Sequence, residues 1–188
     1  MRASSSARAY AGPQAPYAAP PAAAPPAPGA LESDAPSADP EAKNLFLASL
    51  SQPAAQLAVA LAPPAVTAMA LENTARGEAG GMTADVSVQT AILMEGQRAT
   101  SSIVIAPGAC MTFIAHGGLG VVEVDLFVTT GAGQALRVLA EDPTTGPIAV
   151  LGGRGACFRS SSPAPLSAEL HARVRRGAGI VITRGYRR

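Results

Sequence analysis

The sequence predicts an all-β fold: an antiparallel β-sandwich or jelly-roll-like domain, preceded by a disordered Pro/Ala-rich segment and short helices. Three observations predict it. From Asp85 onward the apolar residues recur with period two, the repeat of half-buried strands. Turn-forming pairs break these runs at regular spacing, with no helical run between them, which argues against a parallel α/β sheet. Residues 12–29 are almost wholly Pro and Ala, so the domain starts well after them.

Residues 1–38 read as a disordered spacer. Such a segment cannot bury enough apolar surface to offset the entropy of ordering it, and it samples extended, polyproline-like conformations. Residues 39–72 read as short helices. Asp39 caps, Pro40 fits the first helical position and Glu41 suits the positive helix end. Leu45, Phe46 and Leu50 supply an apolar stripe, and Pro53 ends it. A second short helix is expected over 54–62, carrying Leu57 and Leu61 and stopped by Pro63 and Pro64. Residues 45–71 carry no charge, but the prolines interrupt the run of about 20 apolar residues that a membrane span needs. The helices are therefore expected to pack on the domain or on a partner. Gly77, Gly80 and Gly81 mark residues 73–84 as a linker.

The β domain occupies 85–188. Val122, Val124, Leu126 and Val128 alternate with Glu123, Asp125, Phe127 and Thr129. Leu166, Ala168, Leu170, Ala172 and Val174 alternate with Ser167, Glu169, His171, Arg173 and Arg175. The first set in each strand is expected to face the core and the second to face water. Further strands are expected at 90–94, 102–105, 110–116, 135–140, 148–151, 157–160 and 180–184. Glu95-Gly96, Pro107-Gly108, Gly117-Gly118, Thr130-Gly131, Gly152-Gly153 and Arg176-Gly177 supply turn chemistry between them. Many short strands with such spacing suit a sandwich or jelly roll.

Composition narrows the function classes. The chain has 188 residues, 14% charged, and a net charge of +1, so no global charge draws it to nucleic acid or membrane. Cys110 and Cys157 each follow a Gly-Ala pair. A structural disulfide is the preferred reading, closing a loop for roughly 3–4 kcal/mol and implying an oxidising compartment. Two buried thiols are the alternative. Neither cysteine has a partner at metal-ligand spacing, and no metal or cofactor is expected. Arg2 and Arg8 are followed by Ala and Pro where a secretory signal needs a strongly apolar run, so no signal peptide is read here.

Gly108-Ala109-Cys110-Met111-Thr112-Phe113-Ile114-Ala115 resembles the G-x-C-Y-T-F-x-A strand of bacterial pre-peptidase C-terminal-like (PPC-like) β-sandwich domains. Asp125-Leu126-Phe127-Val128, a glycine turn and Leu136 resemble that family's D-L-x-L … G-x-x-L strand pair. Met111 stands where the family has an aromatic residue. The resemblance covers about residues 88–188. It implies a jelly-roll-like accessory module of exported or envelope proteins, without catalytic or ligand residues to carry over.

His116 and His171 are the only histidines, and no H-E-x-x-H is present. His116 is expected in a turn and His171 on a solvated strand face. Ser160, Ser161 or Ser162 with either histidine and Asp125 or Asp142 would make a Ser-His-Asp set, but no G-x-S-x-G elbow supports one. Asp142-Pro143-Thr144-Thr145-Gly146 offers one carboxylate to a calcium ion, too few for a site, and reads as a turn. Gly152-Gly153-Arg154-Gly155 reads as a turn rather than a phosphate loop. Arg173, Arg175, Arg176, Arg184, Arg187 and Arg188 face one local acid, Glu169. They are candidate ligands for an anionic envelope polymer if the last two strands pair; edge protection is the other reading.

The function expected is a non-catalytic, exported or envelope-associated binding or structural module, in the periplasm or outside the cell. Its partners would be a protein or an anionic envelope polymer, with membrane contact but no span and no nucleic acid. An accessory subunit docking through 39–72, and a small hydrolase, are the alternatives.

Overall fold

The computed structural model describes residues 39–55, 65–154 and 156–188. The spacer over 1–38, most of the helix expected over 54–62, and Gly155 lie outside the described residues. Among the described residues two α-helices, α1 (Pro40–Ser49) and α2 (Ala65–Glu78), precede nine strands. These are β1 (Thr83–Leu93), β2 (Arg98–Ile105), β3 (Cys110–Gly117), β4 (Val121–Thr130), β5 (Arg137–Glu141), β6 (Ile148–Leu151), β7 (Phe158–Arg159), β8 (Leu166–Gly177) and β9 (Gly179–Arg187).

The strands form two antiparallel sheets packed face to face, as expected. One sheet runs β1-β9-β3-β6, with β7 also on β3; the other runs β2-β8-β4-β5. The pairings β1 with β9, β2 with β8, β3 with β6 and β4 with β5 nest inside one another. This is the order of a jelly roll. The final crossover needs glycine: a Cβ on Gly177, at φ +88°, would lie 2.2 Å from the Gly120 carbonyl oxygen.

The expected alternation places Ala168, Leu170, Ala172 and Val174 in the core between the sheets, with Leu166 at its edge. Opposite them lie Leu93, Phe113, Ala115, Leu151 and Val181. Val124, Leu126 and Val128 also point inward, but Val122 does not. A register break on either side of Glu123 turns Val121 inward and leaves Val122 54% exposed.

Both outer faces are covered by helices, so the molecule has four layers. On the β1-β9-β3-β6 sheet, Leu71, Ala75 and Ala79 pack on Ile114, Ile182 and Tyr186. Spacing of four residues puts that stripe on one face of α2. The linker expected over 73–84 is therefore largely helix and strand: α2 runs to Glu78 and β1 begins at Thr83. Gly77 does not break the helix because its cost is only about 1 kcal/mol against Ala and the Leu71, Ala75 and Ala79 stripe is packed on the sheet. On the β2-β8-β4-β5 sheet, Ala42 and Phe46 of α1 pack on Phe127. Among the described residues no helix is long and apolar enough to cross a membrane.

Cys110, at the start of β3, is bonded to Cys157, 47 residues later. The bridge ties the loop before β7 to the central sheet.

Candidate functional site

The most elaborate polar structure lies where α1 crosses the outer face of β4, β5 and β8. Each end of α1 is pinned by charge. At the start, the Asp39 carboxylate accepts from the backbone N–H groups of Glu41 and Ala42 at 3.1 and 3.0 Å. The Ala42 N–H, with Arg175 next in weight, holds the Asp39 carboxyl below its usual range. Arg175 reaches Asp39 at 2.6 Å, Glu41 at 3.1 Å and Glu123 at 3.2 Å. At the far end, Arg98 donates to the carbonyls of Ser49 at 3.4 Å and Gln52 at 3.1 Å. A cation there complements the negative end of the helix.

Between these ends, the Phe46 ring stacks on Phe127 with centroids 4.1 Å apart and sits 5.0 Å from His171. His171 is fully buried, not solvated as expected. Its Nδ1 meets the Thr100 hydroxyl at 3.0 Å and its Nε2 meets that of Thr129 at 2.9 Å. Burial, reinforced by the nearby Arg98 charge, pushes its pKa down to about 4, so the ring is neutral. Arg173 is buried as well, 3.5 Å from Asp125 across the β4–β8 ladder. The water-facing side assigned to β4 and β8 is thus a second interior, closed by α1.

Two carboxylates in this interior have displaced acidities. Burial raises Asp125 to about 6, against the opposing pull of Arg173 and Arg175. Its Oδ2 is the atom that faces the Arg173 guanidinium, 3.5 Å away. Burial raises Asp142 to about 7, although it accepts from the Leu126 N–H and the Thr144 hydroxyl. Both line a cavity of about 160 Å³, with Asp39, Ala42, Phe127, Glu141, Pro143, Thr144 and Thr145. An open groove of about 520 Å³ adjoins it, sharing Asp39 and Thr145 and adding Glu123, Arg175 and Arg176. The Asp142 turn, read as offering one carboxylate, in fact faces three more across this cavity.

The C-terminal arginines do not form one basic surface. β8 and β9 do not pair but lie in opposite sheets, which separates Arg173, Arg175 and Arg176 from Arg184 and Arg187. The acids they meet come from distant parts of the chain, not from Glu169 alone. Arg176 meets Glu123 at 3.1 Å, Arg184 meets Glu72, and Arg187 meets Asp85 at 3.1 Å. Arg188 stands beside Cys110. Arg176 alone of the β8 group is well exposed, at 68% of its side chain.

His116 lies within β3 rather than in a turn, opposite Ile148 and Ile182. Burial lowers its pKa. Both ring nitrogens of His171 are engaged by the hydroxyls of Thr100 and Thr129 rather than by Ser160, Ser161 or Ser162. Among the described residues no three His, Cys, Asp or Glu side chains gather closely enough to hold a metal ion.

Comparison of the chain with protein-family models, with curated proteins and with solved structures finds no match. The jelly-roll order by itself fixes no activity, because one fold hosts many.

Proposed function

We propose that the chain is a non-catalytic, exported or envelope-associated binding or structural module of the PPC-like kind. The observation that carries this reading is the charged recess under α1. Its walls are fixed by interlocked ion pairs, and neither histidine lines it, so the arrangement suits recognition better than bond breaking. The Cys110–Cys157 bridge favours a compartment outside the reducing cytoplasm. An anionic polymer would have to compete with the carboxylates that already hold Arg175 and Arg176, which moves the preferred ligand away from polyanions.

Fractionation of the native host, with free thiols alkylated before lysis, tests export. The chain is expected in the envelope or medium with Cys110 and Cys157 unmodified. Recovery from the cytosol with both alkylated would overturn the reading. Co-sedimentation of the purified full chain with washed envelopes tests binding, and a chain left wholly in the supernatant counts against it.

An accessory-subunit role has one observation in its favour. Val66 and Met69 on α2 are 80% and 65% exposed, and Leu119 in the β3–β4 turn is fully exposed. A Cβ added to Gly118 would lie 3.2 Å from the Thr67 hydroxyl, so the β3–β4 turn and the start of α2 are neighbours. A native extract in which the chain migrates as part of a larger species would favour this role over the free module.

A further inference from the structure

We propose that the end of the sandwich carrying the β1–β2, β3–β4 and β8–β9 turns docks on a lipid surface with electrically neutral headgroups, by inserting apolar side chains among the acyl chains. The proposal rests on the reading of the chain as an exported or envelope-associated module and names what that module touches.

The three turns and the start of α2 lie together. The Gly177 N–H of the β8–β9 turn donates to the Glu95 carboxylate of the β1–β2 turn at 3.1 Å. The Ala178 N–H donates to the Gly120 carbonyl of the β3–β4 turn at 3.0 Å. The Gly118 N–H donates to the Ile180 carbonyl at 2.7 Å, and the start of α2 adjoins the same turn through Thr67.

Apolar exposure is concentrated here. Among the described residues seven large apolar side chains are more than half exposed, and six of them belong to this end: Val66, Met69, Ile92, Met94, Leu119 and Val122. Ile92 is paired with Ile180, and Val122 adjoins Gly177. The seventh, Val104, lies near the far end of β2. Leu119 is fully exposed in the short turn between Gly117 and Val121, so it projects from the end instead of lining a groove. Single exposed apolar residues are ordinary, but a cluster of them marks a contact surface.

The chemistry of this end favours lipid over a protein partner. Its turn backbones are already paired. Besides the bonds above, the Met94 N–H donates to the Gln97 side chain at 2.9 Å, the Gly96 N–H to the Val174 carbonyl at 2.9 Å and the Val121 N–H to the Gly118 carbonyl at 3.1 Å. Entry into an apolar layer is costly for unpaired backbone groups, and these groups are spared that loss. The six side chains are all Val, Met, Ile or Leu. Protein interfaces are anchored instead by Trp, Tyr and Arg, and Leu and Val are under-represented there. Acyl chains require only apolar area, because the hydrophobic effect is non-directional and a fluid layer moulds itself round separate tips.

The charges select the headgroup. Arg175 and Arg176, which precede the β8–β9 turn, are held by Glu123, and Arg175 also by Asp39 and Glu41. Glu95 adds a negative charge in the β1–β2 turn. Among the described residues this end therefore offers no free basic cluster to an anionic headgroup. The attraction is apolar burial, which salt does not screen.

The chain has no Trp, so a Leu119→Trp variant carries a single reporter. The test adds phosphatidylcholine vesicles to this full-length variant and follows its emission, with quenching by brominated acyl chains, while the wild-type chain is sedimented with the same vesicles. The expected result is saturable partition, with emission shifted to shorter wavelength and quenched from within the acyl layer. Partition should change less than about twofold between about 0.05 and 0.5 M salt. Burying one Leu side chain is worth about ten- to a hundredfold in an equilibrium constant, so Leu119→Glu should weaken partition at least about tenfold. Val66→Glu on α2 provides a second variant with the same direction should the first not fold. Val104→Glu, exposed at the far end, should change partition less than about twofold. No partition, partition that needs anionic lipid and is lost in salt, or equal loss in the Leu119 and Val104 variants would overturn the proposal. A self-associated chain that Leu119→Glu returns to monomers, with no vesicle binding, would make this end a protein interface and overturn it likewise. Fractionation with alkylated thiols is read independently: an exported chain that ignores vesicles loses the lipid contact alone, whereas a cytosolic chain with both thiols free loses the module reading.

Discussion

Removing the Phe46 ring tests whether α1 is a docked lid or an integral wall. The ring is fully buried and lies on Phe127 at 4.1 Å, nearly parallel. Truncating a buried Phe to Ala costs about 3–5 kcal/mol. A helix of ten residues is marginal by itself in water, so α1 unfolds when it leaves the sheet. If the loss falls on docking, a cost of about 3 kcal/mol raises the undocked population roughly a hundredfold, at 1.4 kcal/mol per factor of ten. The chain has a single lysine, Lys43, and it lies within α1. A lysine-specific protease therefore cuts at one position, and its rate follows the open population where reclosing is fast. Phe46→Ala is expected to speed that cut about a hundredfold while the β-sheet circular dichroism signal persists. A rate within about threefold of wild type would refute the docking argument. Equal acceleration of cutting at α1 and of global unfolding would make α1 part of the cooperative core.

Replacing both Cys110 and Cys157 with Ala is expected to lower stability by roughly 3–4 kcal/mol in urea unfolding, with a steeper slope because the uncrosslinked denatured chain exposes more surface. Arg175→Met removes the cation shared by Asp39, Glu41 and Glu123, and should also speed Lys43 cleavage. Combined with Phe46→Ala it should add less than its own effect, because both act on docking of α1. His171 is pushed down to about 4, so its stabilising contribution is present above the ordinary value of 6.5 and is lost as pH falls towards 4. Its ring resonances should therefore not titrate above about pH 5, and a midpoint near 6.5 would contradict its burial. Asp142 has the opposite sign. Raised from 3.8 to about 7, its contribution is fully present below 3.8 and is lost as pH rises through 7. Asp142→Asn keeps an acceptor for the Leu126 N–H, and the Thr144 hydroxyl can turn to the Ile148 carbonyl 3.2 Å away. The variant should flatten the pH dependence of the urea midpoint between about pH 4 and 7, and an unchanged dependence would reject the assignment.

The sandwich was legible because its inner faces obey a local rule. Ala168, Leu170, Ala172 and Val174 follow the two-residue period, and the turns between strands carry Gly or Pro. The second interior under α1 was not legible, because what buries it lies far away in sequence. His171 and Arg173 read as wet until Phe46, more than a hundred residues earlier, covers that face. Two signals pointed there. Phe127 interrupts the polar side of its own strand, and the acidic pair Glu123 and Asp125 complements the basic alternation of Arg173 and Arg175. The β4–β8 register joins Asp125 to Arg173, which alternation alone does not specify. Val122 was misplaced for a similar reason: a bulge adds a residue that period-two counting does not include. The basic C-terminal cluster dissolved because adjacency in sequence does not survive a crossover between sheets.

The order of the strands has a consequence for how the chain reaches its folded form. β9 lies between β1 and β3, and β8 lies between β2 and β4. The strands that come late in the sequence thus fill the middle of both sheets rather than their borders. Until residues 166–187 are available, β1 and β2 lack their ladder partners, and the two sheets stay divided. Assembly that waits for distant partners is slow, and its unfinished forms expose sheet edges. Such a chain resists folding piecemeal as it is synthesised. Its β1 and β2 edges stay open for as long as those closing strands are withheld.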